Sequence, residues 1–145
     1  MKPKTIHLLY RTVTVLFAAL LLMAGITEAV AHESGTEIMR HLGYPEHVLH
    51  VIGVGKILAA VALVQRRFPT VREWAYAGVT FNLLGALVAR AAAGDSAGLI
   101  LSPLIFLAVM FTSYFLGKKA ERLQHHGQPY AEAQPFVAEH AVRAA

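Results

Sequence analysis

Four long apolar stretches, roughly Ile6–Ile26, Val48–Val64, Trp74–Ala93 and Leu99–Leu116, alternate with short polar segments along the chain. A bilayer's hydrocarbon core takes about 17–25 apolar residues per helix, slightly fewer where the bilayer thins or flanking side chains snorkel. Each stretch is about that long. The pattern predicts an all-α fold: an integral membrane four-helix bundle with short connections.

Composition agrees. Of 145 residues, 56% are hydrophobic and 15% charged, too apolar a balance for a soluble domain with a wet surface. The formal net charge of +4 would suggest nucleic acid only if the basic residues formed a stripe. They sit instead at the ends of apolar segments, where basic residues set membrane orientation. Nucleic acid is therefore excluded as a partner, and the lipid bilayer is the first one implied. The chain has no cysteine. That rules out disulfides, thiol exchange by its own side chains, cysteine-ligated iron–sulfur clusters and thiolate zinc sites. Redox chemistry would have to use a bound cofactor or belong to a partner.

The charges give an orientation. Lys2, Lys4 and Arg11 mark the amino end, Arg66, Arg67 and Arg72 the second link, and Lys118, Lys119 and Arg122 the stretch after the fourth span. The first link instead holds Glu28, Glu33, Glu37 and Glu46 against Arg40, and the third offers Asp95. The positive-inside rule puts both termini and the second link in the cytoplasm, as expected of a multi-pass protein of the inner (cytoplasmic) membrane. Tyr10, Trp74, Tyr76 and Tyr114 would form the cytoplasmic aromatic belt and Tyr44 the opposite one. A competing reading takes Lys2, Lys4, the run Val13–Ile26 and Ala29-Val30-Ala31 as a secretory signal with an A-x-A cleavage site. The uncleaved first span is favoured, because it extends back through Leu8 and Leu9 and Arg11 can snorkel to the inner surface.

Between the first two spans, Ser34-Gly35-Thr36-Glu37 fits a capping box opening a short helix. Ile38, Met39 and Leu42 fall on one side and Glu37, Arg40 and His41 face elsewhere, so this first external loop is expected to carry a short amphipathic helix. Gly43 suits its end and Pro45 the start of the next segment. After Leu116, Gly127, Pro129 and Pro135 change the composition. Residues 1–117 read as the four-span domain and 118–145 as a poorly ordered cytoplasmic tail.

Ionisable groups inside a membrane are functional suspects by default. Lys56 lies near the middle of the second span, roughly 13 Å from the end near His47 at about 1.5 Å per residue. Asn82 in the third span falls at a similar depth, and the two could meet across the helix pair. Lys56 could also reach outward to Glu28 at the end of the first span. As a pocket cation it would bind an anionic or carbonyl-bearing ligand such as a quinone head group. As a structural hub it would lock the bundle through Asn82 or Glu28, with interhelical polar contacts contributing about 0.6–2 kcal/mol each. Arg90, near the outer end of the third span, reads as an interfacial anchor.

Ala75, Gly78, Asn82, Gly85 or Ala86, and Ala89 form a small-residue stripe, and Gly55 with Ala59 a matching pair on the second span. Packing between helices is the plain reading of such faces, within one bundle or between protomers, so a homo-oligomer is one candidate assembly. Glu37 with His41, and His47 with His50 and His32, could hold external zinc or copper, but no recognised ligand spacing is satisfied. No metal site is expected, and histidines do not face each other from two spans as bis-histidine haem requires. No nucleotide-binding glycine loop, H-E-x-x-H motif or G-x-S-x-G turn is present. No catalytic set can be assembled.

Leu42-Gly43-Tyr44-Pro45, Gly53-Val54-Gly55-Lys56-Ile57-Leu58-Ala59-Ala60, Glu73-Trp74-Ala75-Tyr76-Ala77-Gly78, and Gly85-Ala86 before Ala93-Gly94-Asp95 resemble the DoxX-like family of small bacterial four-helix membrane proteins. The resemblance covers roughly Val13 to Lys118. It implies four spans, and a link through founding relatives to thiosulfate:quinone oxidoreductase and other membrane redox complexes. It also implies an acid at the position of Asn82 and a Ser-His pair at Ala89-Arg90. This chain departs from both, so Lys56 must find another partner and a proton-handling role is weakened. The expectation is a non-catalytic membrane subunit or anchor of an oxidoreductase system, with a soluble or membrane redox partner and a quinone or small-ligand pocket near Lys56, Asn82 and Glu28. Neither haem nor an iron–sulfur cluster is expected. The alternative is a small-solute carrier or a scaffold without redox chemistry.

Overall fold

The computed structural model describes residues 3–126, so the remainder of the expected tail lies outside the described residues. Five helices follow in order: α1 (Pro3–Ala29), α2 (Glu33–His41), α3 (His47–Val64), α4 (Pro69–Ala92) and α5 (Ala97–His126). The described residues contain no strand. The four long helices match the four apolar stretches, and each is long and apolar enough to cross a membrane. α1 packs on α3 and α5, and α4 packs on the same two, closing a ring of four helices. Short connections make each helix antiparallel to the next, the up-down-up-down order of a four-helix bundle.

Much of the apolar surface points outward. Leu16, Leu20, Leu58, Phe81, Val88, Ile105 and Phe115 are all exposed. A water-soluble protein rarely shows so continuous an apolar surface, whereas lipid tails match it. The helices also satisfy their backbone groups internally, as a hydrocarbon environment demands. Pro103 inside α5 deprives the Leu99 carbonyl of its amide donor, and the Ser102 hydroxyl donates to that oxygen at 2.9 Å.

Helix ends depart from expectation where side chains or neighbours override the local pattern. α4 begins at Pro69, two residues before the restart expected near Val71, because proline lacks only a donor that the first turn leaves unpaired anyway. α2 is capped by His32, whose ring accepts from the Ser34 amide. Ser34 is therefore inside the helix and the expected Ser34–Glu37 capping box does not form. α5 runs through Lys118 to His126 instead of stopping near Leu116. Its extension is held to α4 by Lys118 with Glu73 at 2.7 Å and by Arg72 with Glu121, while Ala120 is buried. Gly43 ends α2 at a φ of 75°, as expected, with the Tyr44 amide donating to the Met39 carbonyl at 2.9 Å.

The core lies in the half of the bundle that holds both described chain ends, around Phe17, Leu21, Leu63, Val79 and Met110. A small polar cluster sits within it. Ser113 shares hydrogen bonds with Thr14 at 2.6 Å and with Tyr76 at 3.0 Å, tying α5 to α1 and α4. Tyr76 is thus a buried core residue stacked edge-on against Tyr114, with ring centroids 5.1 Å apart, and does not belong to the aromatic belt assigned to it. Trp74 is 71% exposed and faces outward. The small-residue faces also divide differently. α1 and α3 touch at Gly25 and Gly53, whereas Gly55, Gly78 and Gly85 face open space.

Candidate functional site

Glu28 occupies the last turn of α1 and Lys56 the middle of α3. Gly25 and Glu28 lie three residues apart on α1, as do Gly53 and Lys56 on α3, so both charged residues border the glycine contact. Lys56 Nζ donates to Glu28 Oε1, with 18% and 21% of the two side chains exposed. Glu28, not Asn82, is the partner of Lys56. The other carboxylate oxygen, Glu28 Oε2, is buried with no hydrogen-bond partner among the described residues. Asn82 likewise makes no side-chain hydrogen bond among them.

Glu28, Lys56 and Asn82 nevertheless face one space. They line a cavity of about 480 Å³ enclosed by all four long helices. Its walls are mainly apolar, with Phe17 and Leu21 from α1, Ile52 from α3, Val79 and Leu83 from α4, and Phe106 from α5. Ile38 and Met39 of α2, with Leu42 and Tyr44 just beyond it, close over the end. A second cavity of about 390 Å³ is lined by α3 and α4 residues, and shares Ile52, Lys56, Val79 and Asn82 with the first. Exposed Leu58 and Trp74 are part of its wall, so it opens sideways to the outer surface of the bundle. Gly55, Gly78, Gly85, Ala86 and Ala89, expected to pack between helices, line these two spaces.

Arg90 also reaches the first cavity, yet its head is not free at the interface. Arg90 Nη1 donates to Asp95 Oδ2 at 2.9 Å, and His41 Nε2 donates to Asp95 Oδ1 at 2.5 Å. Asp95, 7% exposed by its side chain, so ties α2 to the α4–α5 turn. The His41 hydrogen bond, and behind it Arg90, hold its carboxyl below the usual value, against the opposing effect of desolvation. Local sequence carried no signal for this latch, because His41 and Asp95 are 54 residues apart. Three of the histidines weighed as metal ligands have separate partners. His32 caps α2, His41 holds Asp95, and His50 Nδ1 donates to the Ala29 carbonyl at 2.8 Å.

Chemically, the site offers one ammonium and one half-satisfied carboxylate on an otherwise apolar wall. A space of this size, mainly apolar with a few converging polar groups, is typical of small-molecule sites. The ammonium can donate to a carbonyl or anionic oxygen. Oε2 can accept from a hydroxyl or amine. The DoxX-like family profile matches residues 12–113, well over half of the chain. No curated protein and no solved structure matches it.

Proposed function

The chain belongs to the DoxX-like family, and on that premise we propose that it is a non-catalytic subunit or anchor of a membrane oxidoreductase system, holding the head group of a quinone beside Lys56. The observation that carries this reading is the unpaired Glu28 Oε2 next to Lys56 on the wall of an apolar cavity. A buried acceptor without a donor is unfavourable by about 1–3 kcal/mol, more when charged, and a ligand hydroxyl would relieve it. The two groups together suit a molecule that presents a carbonyl in one redox state and a hydroxyl in the other. The quinone carbonyl would accept from Nζ, and the quinol hydroxyl would donate to Oε2. Asn82 adds an uncommitted amide on the opposite wall. The sideways opening between α3 and α4 suits a ligand with a long apolar tail, delivered from the bilayer.

In this reading the protein sits in the inner membrane with both termini in the cytoplasm, and a redox partner docks on one face. The support is the charge distribution, basic at the end holding Arg11, Arg66 and Lys119 and acidic at the α2 end. A chain without cysteine is a clean background for mapping this. Ser34→Cys should react with an impermeant maleimide in intact cells, and Arg67→Cys only after lysis; the reverse would invert the topology.

Native mass spectrometry with quinone extraction tests the pocket in gently solubilised protein. Quinone is expected in the wild type and at least several-fold less in Lys56→Met and Glu28→Gln. Equal content in folded variants would overturn the pocket and favour a scaffold without redox chemistry.

A further inference from the structure

At the opposite end of the bundle from α2, a third cavity of about 690 Å³ opens between α1, the α3–α4 link and α5. Arg11, Arg66 and Arg72 line it against Glu121, so three positive charges face one negative. Glu121 is bonded to Arg72. Arg11 and Arg66 are exposed and make no hydrogen bond or ion pair among the described residues. His7 lines the same space.

Membrane orientation alone needs basic residues at this depth anywhere around the bundle. It gives no reason for Arg11 of α1 and Arg66 of the link to converge on one cavity. The rest of the lining is informative. Val15, one turn beyond Arg11 on α1, and Val64, just before Arg66 at the end of α3, belong to it and are also exposed on the outer surface, at 47% and 49%, so an apolar strip leads from the arginines toward the membrane interior.

We propose that this cavity seats the phosphodiester head of one anionic phospholipid, with its acyl chains running along Val15 and Val64. Guanidinium groups pair with phosphate oxygens through two parallel hydrogen bonds, a geometry that suits Arg11 and Arg66 better than diffuse attraction to a surface. The excess positive charge selects against zwitterionic lipid. The apolar strip selects against free phosphate, which would gain nothing from it. The site is separate from the Lys56 cavity and does not depend on the quinone reading.

The test titrates the detergent-solubilised full chain with phosphatidylglycerol, phosphatidylcholine or inorganic phosphate and counts bound molecules by native mass spectrometry. One phosphatidylglycerol should be retained in preference to phosphatidylcholine, and inorganic phosphate should not displace it. Arg11→Gln with Arg66→Gln should weaken retention about 30-fold, at roughly five-fold per arginine. A control pair at the same end but outside the cavity, Arg67→Gln with Lys119→Gln, should leave it unchanged. Equal loss in both pairs would mean diffuse charge attraction and overturn the site. Displacement by phosphate would make it a free-anion site and overturn the lipid. Should the double variant not fold, the wild type still decides: equal retention of the two lipids refutes the proposal.

Discussion

A Cβ placed on Gly53 would lie 2.7 Å from the Gly25 carbonyl oxygen and closer still to the Ala29 amide nitrogen, so α1 and α3 meet backbone to backbone. Those neighbours are main-chain atoms of a helix and cannot swing aside. Small residues at a helix crossing allow this approach, and in a membrane, where apolar burial offers little drive, close packing matters more. The contact also fixes how far Glu28 stands from Lys56.

Gly53→Ala should therefore destabilise the bundle by about 1–3 kcal/mol, the usual cost of overpacking, and loosen the Lys56–Glu28 pair. Gly55→Ala, two residues on, meets nothing within 4 Å and should be neutral or slightly stabilising. Thermal unfolding of both variants in detergent checks the contrast. Equal behaviour would refute the assignment of Gly53 as the crossing point.

That contrast also marks what sequence could reveal. The four spans were readable because a bilayer imposes one length and one composition on every helix. Lys56 and Glu28 stood out because charge is rare at such positions. Which glycine packs was not readable, since Gly53 and Gly55 differ only in the face they present, set by how α1 and α3 rotate against each other. Tyr76 was misplaced for a related reason. An aromatic near a span's end suits a belt, but its hydroxyl finds Ser113 across the bundle, a partner 37 residues away. Asn82 lost its role as the Lys56 partner because Glu28 completes the charge pair. The cavities were beyond reach, since a void is made by what neighbouring helices leave unfilled.

Ala31 ends α1 with φ at 49°, a left-handed conformation that glycine adopts freely and alanine does not. The His32 amide donates to the Thr27 carbonyl at 3.1 Å across this turn, so the strain is built into the helix end. Ala31→Gly should raise stability by about 1 kcal/mol despite the greater freedom it gives the unfolded chain. Lower stability in detergent unfolding would show that the unfolded-state effect prevails and that the turn is not strained.

Asp95 sets a pH signature for the latch between α2 and the α4–α5 turn. Its carboxyl is held below the ordinary value of 3.8, by the His41 hydrogen bond first and Arg90 after it. A depressed carboxyl stabilises the fold above its unfolded value and loses that contribution as pH falls through the folded one. The stability gap between wild type and Asp95→Asn should thus narrow as pH falls below about 4. Unfolding midpoints measured across that range test it. A gap that closes well above pH 4 would mean that the charge of Asp95 does not hold the loop.

Gly78 gives the sharpest separation of cavity from scaffold. It lines the space between α3 and α4, and a Cβ built on it meets nothing within 4 Å. Leucine there would fill part of the sideways opening without pushing either helix, and a helix gains propensity when glycine is replaced. Gly78→Leu should therefore fold at least as well as the wild type. If a tailed ligand enters between α3 and α4 to reach Lys56, the same variant should take up long-chain quinone several-fold more slowly while a short-chain analogue is less affected. Extraction after timed exposure, for both quinones, reads this directly. Unchanged uptake of the long-chain form by a stable Gly78→Leu protein would close the lateral route and leave the α2 end as the way in. The His41–Asp95 latch would then govern access, and Asp95→Asn should speed entry instead.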